Sequence, residues 1–293
     1  MTYPWIVDRA LYAPFTDPRT ARPPGVSPME TGAWTPVDPE YAVQMAYRGE
    51  ILGRDRDLVL QVLPEAQALV RDLYDELLAY LGTREGYRVG PGRVTRPDGE
   101  TVTLDRDAPF DTINRLVADD FCILVADPDH GEYRLVAGLL CFPSRWLLSE
   151  KINRPLTAIH DPVPDYDDGL ARRVNRLFEA IRPGRPMVRC NWLIHPTAEL
   201  HLPLGLSDKM FDPDAPVDMA YLRTERQTLT RLKRSGAVVF GIKTSICPVT
   251  ALNQEESAAL RQELTSHHAD DIAYRSGSKI YQVALELLAS EAA

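Results

Sequence analysis

One histidine in this chain stands where a ligand would be held. In the stretch WLLSEKINRPLTAIHDPVP (146–164), His160 lies between an apolar approach and a proline-stiffened exit. Neutral imidazole is the commonest protein ligand for iron and related metals, and ligation needs a fixed ring orientation more than many neighbours. Pro162 and Pro164 each lock their own φ and restrict the residue before them, so Asp161 and Val163 are expected to be extended. Asp161 or a backbone carbonyl can accept the other ring N–H and raise the basicity of the ligating nitrogen. His195 and His201 are rival ligands by residue type, but neither lies in a comparably stiffened segment. The plainer reading is a histidine with no chemical role.

A second block, YLRTERQTLTRLKRSGAVVFGIKTS (221–245), concentrates charge. Thr224 followed three residues later by Gln227 is a capping-box pattern, which predicts a helix from Glu225 to about Arg234, ended by Ser235 and Gly236. Arg223 would then end a strand, Glu225 and Arg226 would occupy the first helical turn, and Lys243 would lie on the following strand, with their charges meeting at one rim. The plainer reading is a solvated helix start whose ion pairs contribute about 0–1 kcal/mol each.

The remaining segments must position these groups. Residues 1–40 carry Pro4, Pro14, Pro18, Pro23, Pro24, Pro28, Pro36 and Pro39 among Tyr3, Trp5, Tyr12, Phe15 and Trp34, which predicts an extended arm packed by its rings. The stretch 56–81 has helical spacing, with Pro64 restarting the helix and Gly82 ending it. GRVTRPDGETVTL predicts a peripheral hairpin turning at Pro97-Asp98-Gly99. Five β-branched or aromatic runs, 121–126, 133–142, 187–194, 219–223 and 237–246, read as strands, the first two paired across 127–131. Residues 167–182, 254–266 and 270–289 read as helices. Strands with helices on one side predict an α+β fold, here one domain over 1–293 with an arm (1–50) and C-terminal helices (254–293) as extensions.

Composition excludes several classes. At 293 residues, 44% hydrophobic and 26% charged, the chain can bury a cofactor and keep a core. A net charge of -9 argues against nucleic acid as partner. No apolar run reaches the roughly 18 residues that span a bilayer, and the N-terminus has no signal pattern, so no membrane is expected and the cytoplasm is the expected location. Cys122, Cys141, Cys190 and Cys247 are far apart and fit reduced core thiols.

Three elements in order, FPSRWLLSEKINRPLTAIHDPVPDY (142–166), RCNWLI (189–194) and RTERQTLTRLKRSGAVVFGIKT (223–244), resemble the haem-dependent oxidative N-demethylase family, whose fold is an elaborated PAS domain. YAPF at 12–15, Trp34, Asp38 and Arg48 resemble the opening of that family more weakly, so the resemblance covers most of the chain. It implies a PAS-like five-stranded antiparallel sheet, with His160 as axial ligand of haem b and the other axial position left for an oxidant. It further implies that Arg223 and Arg226 orient substrate or haem propionates, since an arginine fork suits a carboxylate, and that Glu199 suits a cationic amine or guanidinium. Lys151 and Arg154 are further propionate candidates. Lys243, counted with these cofactor-binding residues, stands where the family pattern has arginine, keeping the charge but losing bidentate geometry.

The implied activity is a haem-dependent monooxygenase acting on a small amine, guanidine or amino-acid substrate, by oxidative N-demethylation of a secondary alkylamine or by N-hydroxylation, as of L-arginine. No G-x-G-x-x-G fingerprint or cysteine cluster is present, so dioxygen with a separate reductase, or peroxide, is the expected oxidant system. A homodimer is also expected. The alternative readings are a haem-based PAS sensor or carrier, against which stands the lack of an attached output module, and a haem-free binding protein.

Overall fold

The computed structural model describes residues 3–17, 20, 25–30, 32–127, 131–160, 168–205, 217–268, 272 and 277–290. At its centre is a seven-stranded antiparallel sheet ordered β1-β8-β9-β10-β6-β7-β2. Its strands are β1 (Ser27–Pro28), β2 (Leu60–Val62), β6 (Asp120–Asp127), β7 (Glu132–Leu139), β8 (Met187–His195), β9 (Tyr221–Arg231) and β10 (Val238–Pro248). A separate three-stranded sheet of β3 (Arg88–Gly90), β4 (Arg93–Thr95) and β5 (Thr101–Thr103) contains the expected hairpin, with Gly99 at φ 90° in its turn.

All five strands read from the sequence are present, and they form the middle of the large sheet. The expected count of five is corrected to seven by the short edge strands β1 and β2, whose partners lie far away in sequence. β2 also corrects the continuous helix expected over 56–81. That segment divides into α2 (Arg56–Val59), β2, a 3-10 turn at Pro64–Ala66 and α3 (Gln67–Leu81). Long-range pairing of Leu60 with Leu139 and Val62 with Ala137 overrides the local helical pattern.

One face of the sheet presents Phe121, Ile123 and Val239 to a core shared with α1 (Tyr41–Arg54), α3 and α4 (Pro109–Asn114). Trp5 and Trp34 of the N-terminal arm join this core, and the Trp5 ring stacks on Tyr47 at 4.5 Å, as expected of an arm packed by its rings. The opposite face presents Cys122, Leu124, Leu229 and Phe240 to α5 (Leu148–Lys151), α6 (Leu156–His160) and α7 (Asp168–Ala180). On that side Leu148, Leu156, Phe178 and Ile181 are buried, each contributing about 1.5–3 kcal/mol. Gly138 lets α5 come close, because a Cβ there would lie 2.6 Å from Leu148 Cδ1.

The C-terminal helices α8 (Gln254–Ser266) and α9 (Ser278–Ser290) form a third cluster with Val7, Phe15, Trp192 and Ile194. Asn253 and Glu256 cap α8 reciprocally. The four cysteines are free thiols, three of them buried and Cys190 half-buried, and burial pushes each of them up to about 12, so they are inert thiols, as expected. Among the described residues no helix is long and apolar enough to cross a membrane.

Candidate functional site

His160 is the last residue of α6, a helix too short to hold itself and fixed at both ends by side chains. At its start, the Glu132 carboxylate of β7 accepts from Thr157 N at 3.1 Å and Thr157 Oγ1 at 2.6 Å. At its end, Lys151 Nζ donates to Ile159 O at 3.0 Å, a cation against the carbonyl end of the helix. The Lys151 ammonium also lies 5.1 Å from the Trp146 ring centroid.

Within this frame His160 Nδ1 lies 2.8 Å from Leu156 O. A carbonyl only accepts, so Nδ1 carries the proton and the neutral ring has its lone pair on Nε2. Burial lowers the His160 pKa, and the Lys151 and Arg189 cations act in the same direction against the Leu156 carbonyl. The imidazole is therefore neutral at pH 7, in the form that ligates metals. The orienting acceptor is a backbone carbonyl, one of the two alternatives left open by the sequence; Asp161, Val163 and both prolines lie outside the described residues.

The helix expected from Glu225 to Arg234 is corrected. Tyr221–Arg231 is the long strand β9, paired with β8 and β10 along its length. The change of period from helix to strand separates residues expected at one rim, because successive side chains now point to opposite faces. Arg223, Glu225 and Gln227 share the face of Leu229, where α6 packs, whereas Arg226 and Lys243 are direct cross-strand partners on the other face.

On that other face the Lys243 ammonium is fully buried. It donates to Glu40 Oε1 at 2.9 Å and to Thr244 O at 3.2 Å, and pairs with Asp38 Oδ2 at 3.4 Å. Its three donors thus meet three acceptors, which explains a point-charge lysine in place of an arginine fork. Arg226 donates to the carbonyls of Ala33 and Trp34, and Tyr12 donates to Asp38 Oδ2 at 3.1 Å. Arg48 pairs with Asp120 at 2.6 Å, and Asp120 accepts the backbone N–H groups of Cys141 and Phe142. The residues singled out in the N-terminal arm are therefore partners of Lys243, Arg226 and the sheet. Arg226 and Lys243 stitch the arm to the sheet on the side away from His160.

Arg223, also fully buried, donates to Leu200 O at 3.1 Å and Phe142 O at 2.7 Å and reaches Glu225 Oε1 through Nε at 3.4 Å. It positions the 199–201 turn and Glu225. Glu199 Oε1 accepts from Tyr47 Oη at 2.8 Å and from His201 N at 3.0 Å, so this carboxylate is drawn towards α1. Arg154 is exposed. Of the rival histidines, His195 is buried at the end of β8 and held neutral by burial beside Arg223 and Arg145. His201 Nδ1 meets Cys141 O at 2.7 Å.

The residues that do share the His160 face include Arg189, Asn191 and Gln227, which had no site role in the sequence reading. Arg189 stands opposite Gln227 and Asn191 opposite Glu225 across β8 and β9. Met187 through Asn191 are all half-buried, because β1 covers β8 only at Met187 and Val188 and leaves the strand near the open edge of the sheet. The signal was present as alternation in MVRCNWLI, but it points to His160 only once β9 is known to be a strand.

A model of the family described as haem-dependent oxidative N-demethylase, alpha subunit-like, matches residues 25–285. The chain belongs to that family. The description makes it a family of haem-dependent oxidative enzymes, and the residues around His160 are compatible with the cofactor it names. Among the described residues no group of three or more His, Cys, Asp and Glu side chains is placed to hold a bare metal ion. A porphyrin supplies its own equatorial ligands and asks the protein for one axial donor, which a neutral, oriented imidazole meets. The apolar residues Ile159, Leu229 and Phe240 suit its ring, and Lys151 and Arg189 bring positive charge to the same end.

Proposed function

We propose that this member of the N-demethylase family is a monooxygenase that oxidises a small nitrogen compound, by N-demethylation of a secondary alkylamine or N-hydroxylation of an amine or guanidine, with His160 as axial ligand of haem b. The observation that carries the reading is the His160 ring, whose Nδ1–H is committed to Leu156 O at 2.8 Å. When bound, the haem supplies activation of dioxygen or peroxide. The protein keeps the ligating nitrogen deprotonated and aimed, through Glu132 and Lys151 at the two ends of α6. Lys151, Arg189 and Arg154 supply positive charge for propionates, and Arg223 positions Glu225 and the 199–201 turn; Arg226 and Lys243, on the other face, are left out of this assignment.

The five central strands lie 2-1-5-4-3 across the sheet when taken in chain order, which supports a PAS-like core extended by β1 and β2. Electrons come from a separate reductase in the cytoplasm, a reading in keeping with the words alpha subunit in the family description. Replacement of His160 by alanine tests the ligand. Haem retention should fall and the ferric spectrum should change; unchanged occupancy and coordination would assign the iron to another residue. Titration of the ferric protein with dimethylamine and L-arginine, followed by turnover with a surrogate reductase, tests the chemistry. No spectral response and no product would favour a haem-based sensor or carrier.

A further inference from the structure

Glu225 and Gln227 stand two residues apart on β9 and so side by side on the face that carries α6. They are 8% and 7% exposed. Gln227 Nε2 donates to Glu225 Oε2 at 3.1 Å, which fixes the amide so that its oxygen is the remaining group. That oxygen, Oε1, is buried and meets no hydrogen-bond donor among the described residues. Arg223 fixes the other carboxylate oxygen through Nε at 3.4 Å. The result is a carboxylate and a carboxamide oxygen held next to each other as acceptors, one of them unsatisfied, beside the half-buried stretch of β8. A buried acceptor without a donor is costly to maintain unless a partner arrives.

We propose that Glu225 and Gln227 form the subsite that receives the N–H groups of a cationic nitrogen substrate, an alkylammonium or a guanidinium, on the same face of the sheet as His160. The proposal rests on the function given above for the substrate class and adds the place where that substrate is held. Both ligand types present only donors, the complement of two neighbouring acceptors. Three other carboxylates are already engaged. Glu199 accepts from Tyr47 and His201, and Glu40 and Asp38 serve Lys243 on the opposite face.

Calorimetric titration of the full chain with dimethylammonium chloride and with L-arginine, in the unsubstituted protein and in Glu225→Gln, Gln227→Leu and Glu199→Gln, tests the assignment. Haem content and a thermal melt are read on the same samples. Glu225→Gln should weaken both ligands by about 10-fold or more, the loss expected for a charged hydrogen bond, without lowering haem content. Gln227→Leu, which leaves the Arg223–Glu225 pair in place, should weaken them less and serves if Glu225→Gln does not fold. Affinities indifferent to Glu225 and Gln227, or lost only in Glu199→Gln, overturn the subsite. A chain that binds both cations through Glu225 but takes up no haem keeps the subsite and removes the oxidase reading; a haem protein whose affinities ignore Glu225 does the reverse.

Discussion

Replacing Lys243 with methionine separates a structural role for this cation from a role at the cofactor. Met is close to Lys in volume but removes the ammonium that Glu40, Asp38 and Thr244 O share inside the core. Glu40 is 3% exposed, so its carboxylate would be left buried without its cation. Breaking a buried pair in this way costs about 3–5 kcal/mol. With about 2.1 cal/mol/K of unfolding entropy per residue, a chain of 293 residues loses about 5–8 °C of Tm for that cost. The assay is differential scanning calorimetry of the two proteins at matched haem content, with the haem dissociation rate measured on the same preparations. The expected result is the full drop in Tm with haem dissociation unchanged, because Lys243 and His160 lie on opposite faces of the sheet. A Tm within 1 °C of the parent together with faster haem loss would refute the reasoning and return Lys243 to the propionates.

Two further outcomes concern the same layers. Burial pushes the Asp119 carboxyl up to about 7 from 3.8, against the pull of Lys243, Arg226 and Arg48, and neither of its oxygens has a hydrogen-bond donor. A raised folded value favours folding below the unfolded pKa, and that benefit is lost as pH rises through about 7. Asp119→Asn should therefore exceed the parent in stability by about 2–4 kcal/mol at pH 8, an advantage that shrinks between pH 7 and pH 4; denaturant melts across that range check it, and a pH-independent difference would refute it. Gly138→Ala sets a Cβ 2.6 Å from Leu148 Cδ1 and should push α5 off the sheet, lowering Tm by about 2–5 °C and weakening haem retention through Lys151. An alanine variant with unchanged Tm would show that Leu148 finds another rotamer at no cost.

What was legible in the sequence followed from the strength of the local signal. β6, β7, β8 and β10 are apolar, β-branched and bounded by turns, and they were readable. β9 was readable only at its start, where the run 219–223 covers Tyr221 to Arg223, for a physical reason. Amphipathic alternation reveals a strand when one face is apolar, but here Arg223, Glu225 and Gln227 face one polar environment and Thr224, Arg226 and Thr228 another. Without contrast between faces, the four-residue Thr-x-x-Gln pattern dominated, although Thr224, Thr228 and Thr230 are β-branched. The same error put Arg223 and Glu225 at one rim with Arg226 and Lys243, since helix and strand project side chains with different periods. His160 itself was readable as an oriented histidine, yet its orienting contacts come from Glu132 and Leu156, one across the fold and one a helical turn back.

The alternating charges of β9 also act on the pathway by which the sheet is assembled. A slip of one residue against β10 would turn every side chain of the strand over. Arg226 would leave the Ala33 and Trp34 carbonyls, and Glu225 would enter the face where Lys243 already has its carboxylates. Each misplaced charge would be buried without its counterpart, at several kcal/mol apiece, so misregistered sheets are removed before they can close. An apolar strand of the same length would tolerate that error far better. The polarity that hid β9 from sequence reading is thus what makes its pairing with β8 and β10 unambiguous.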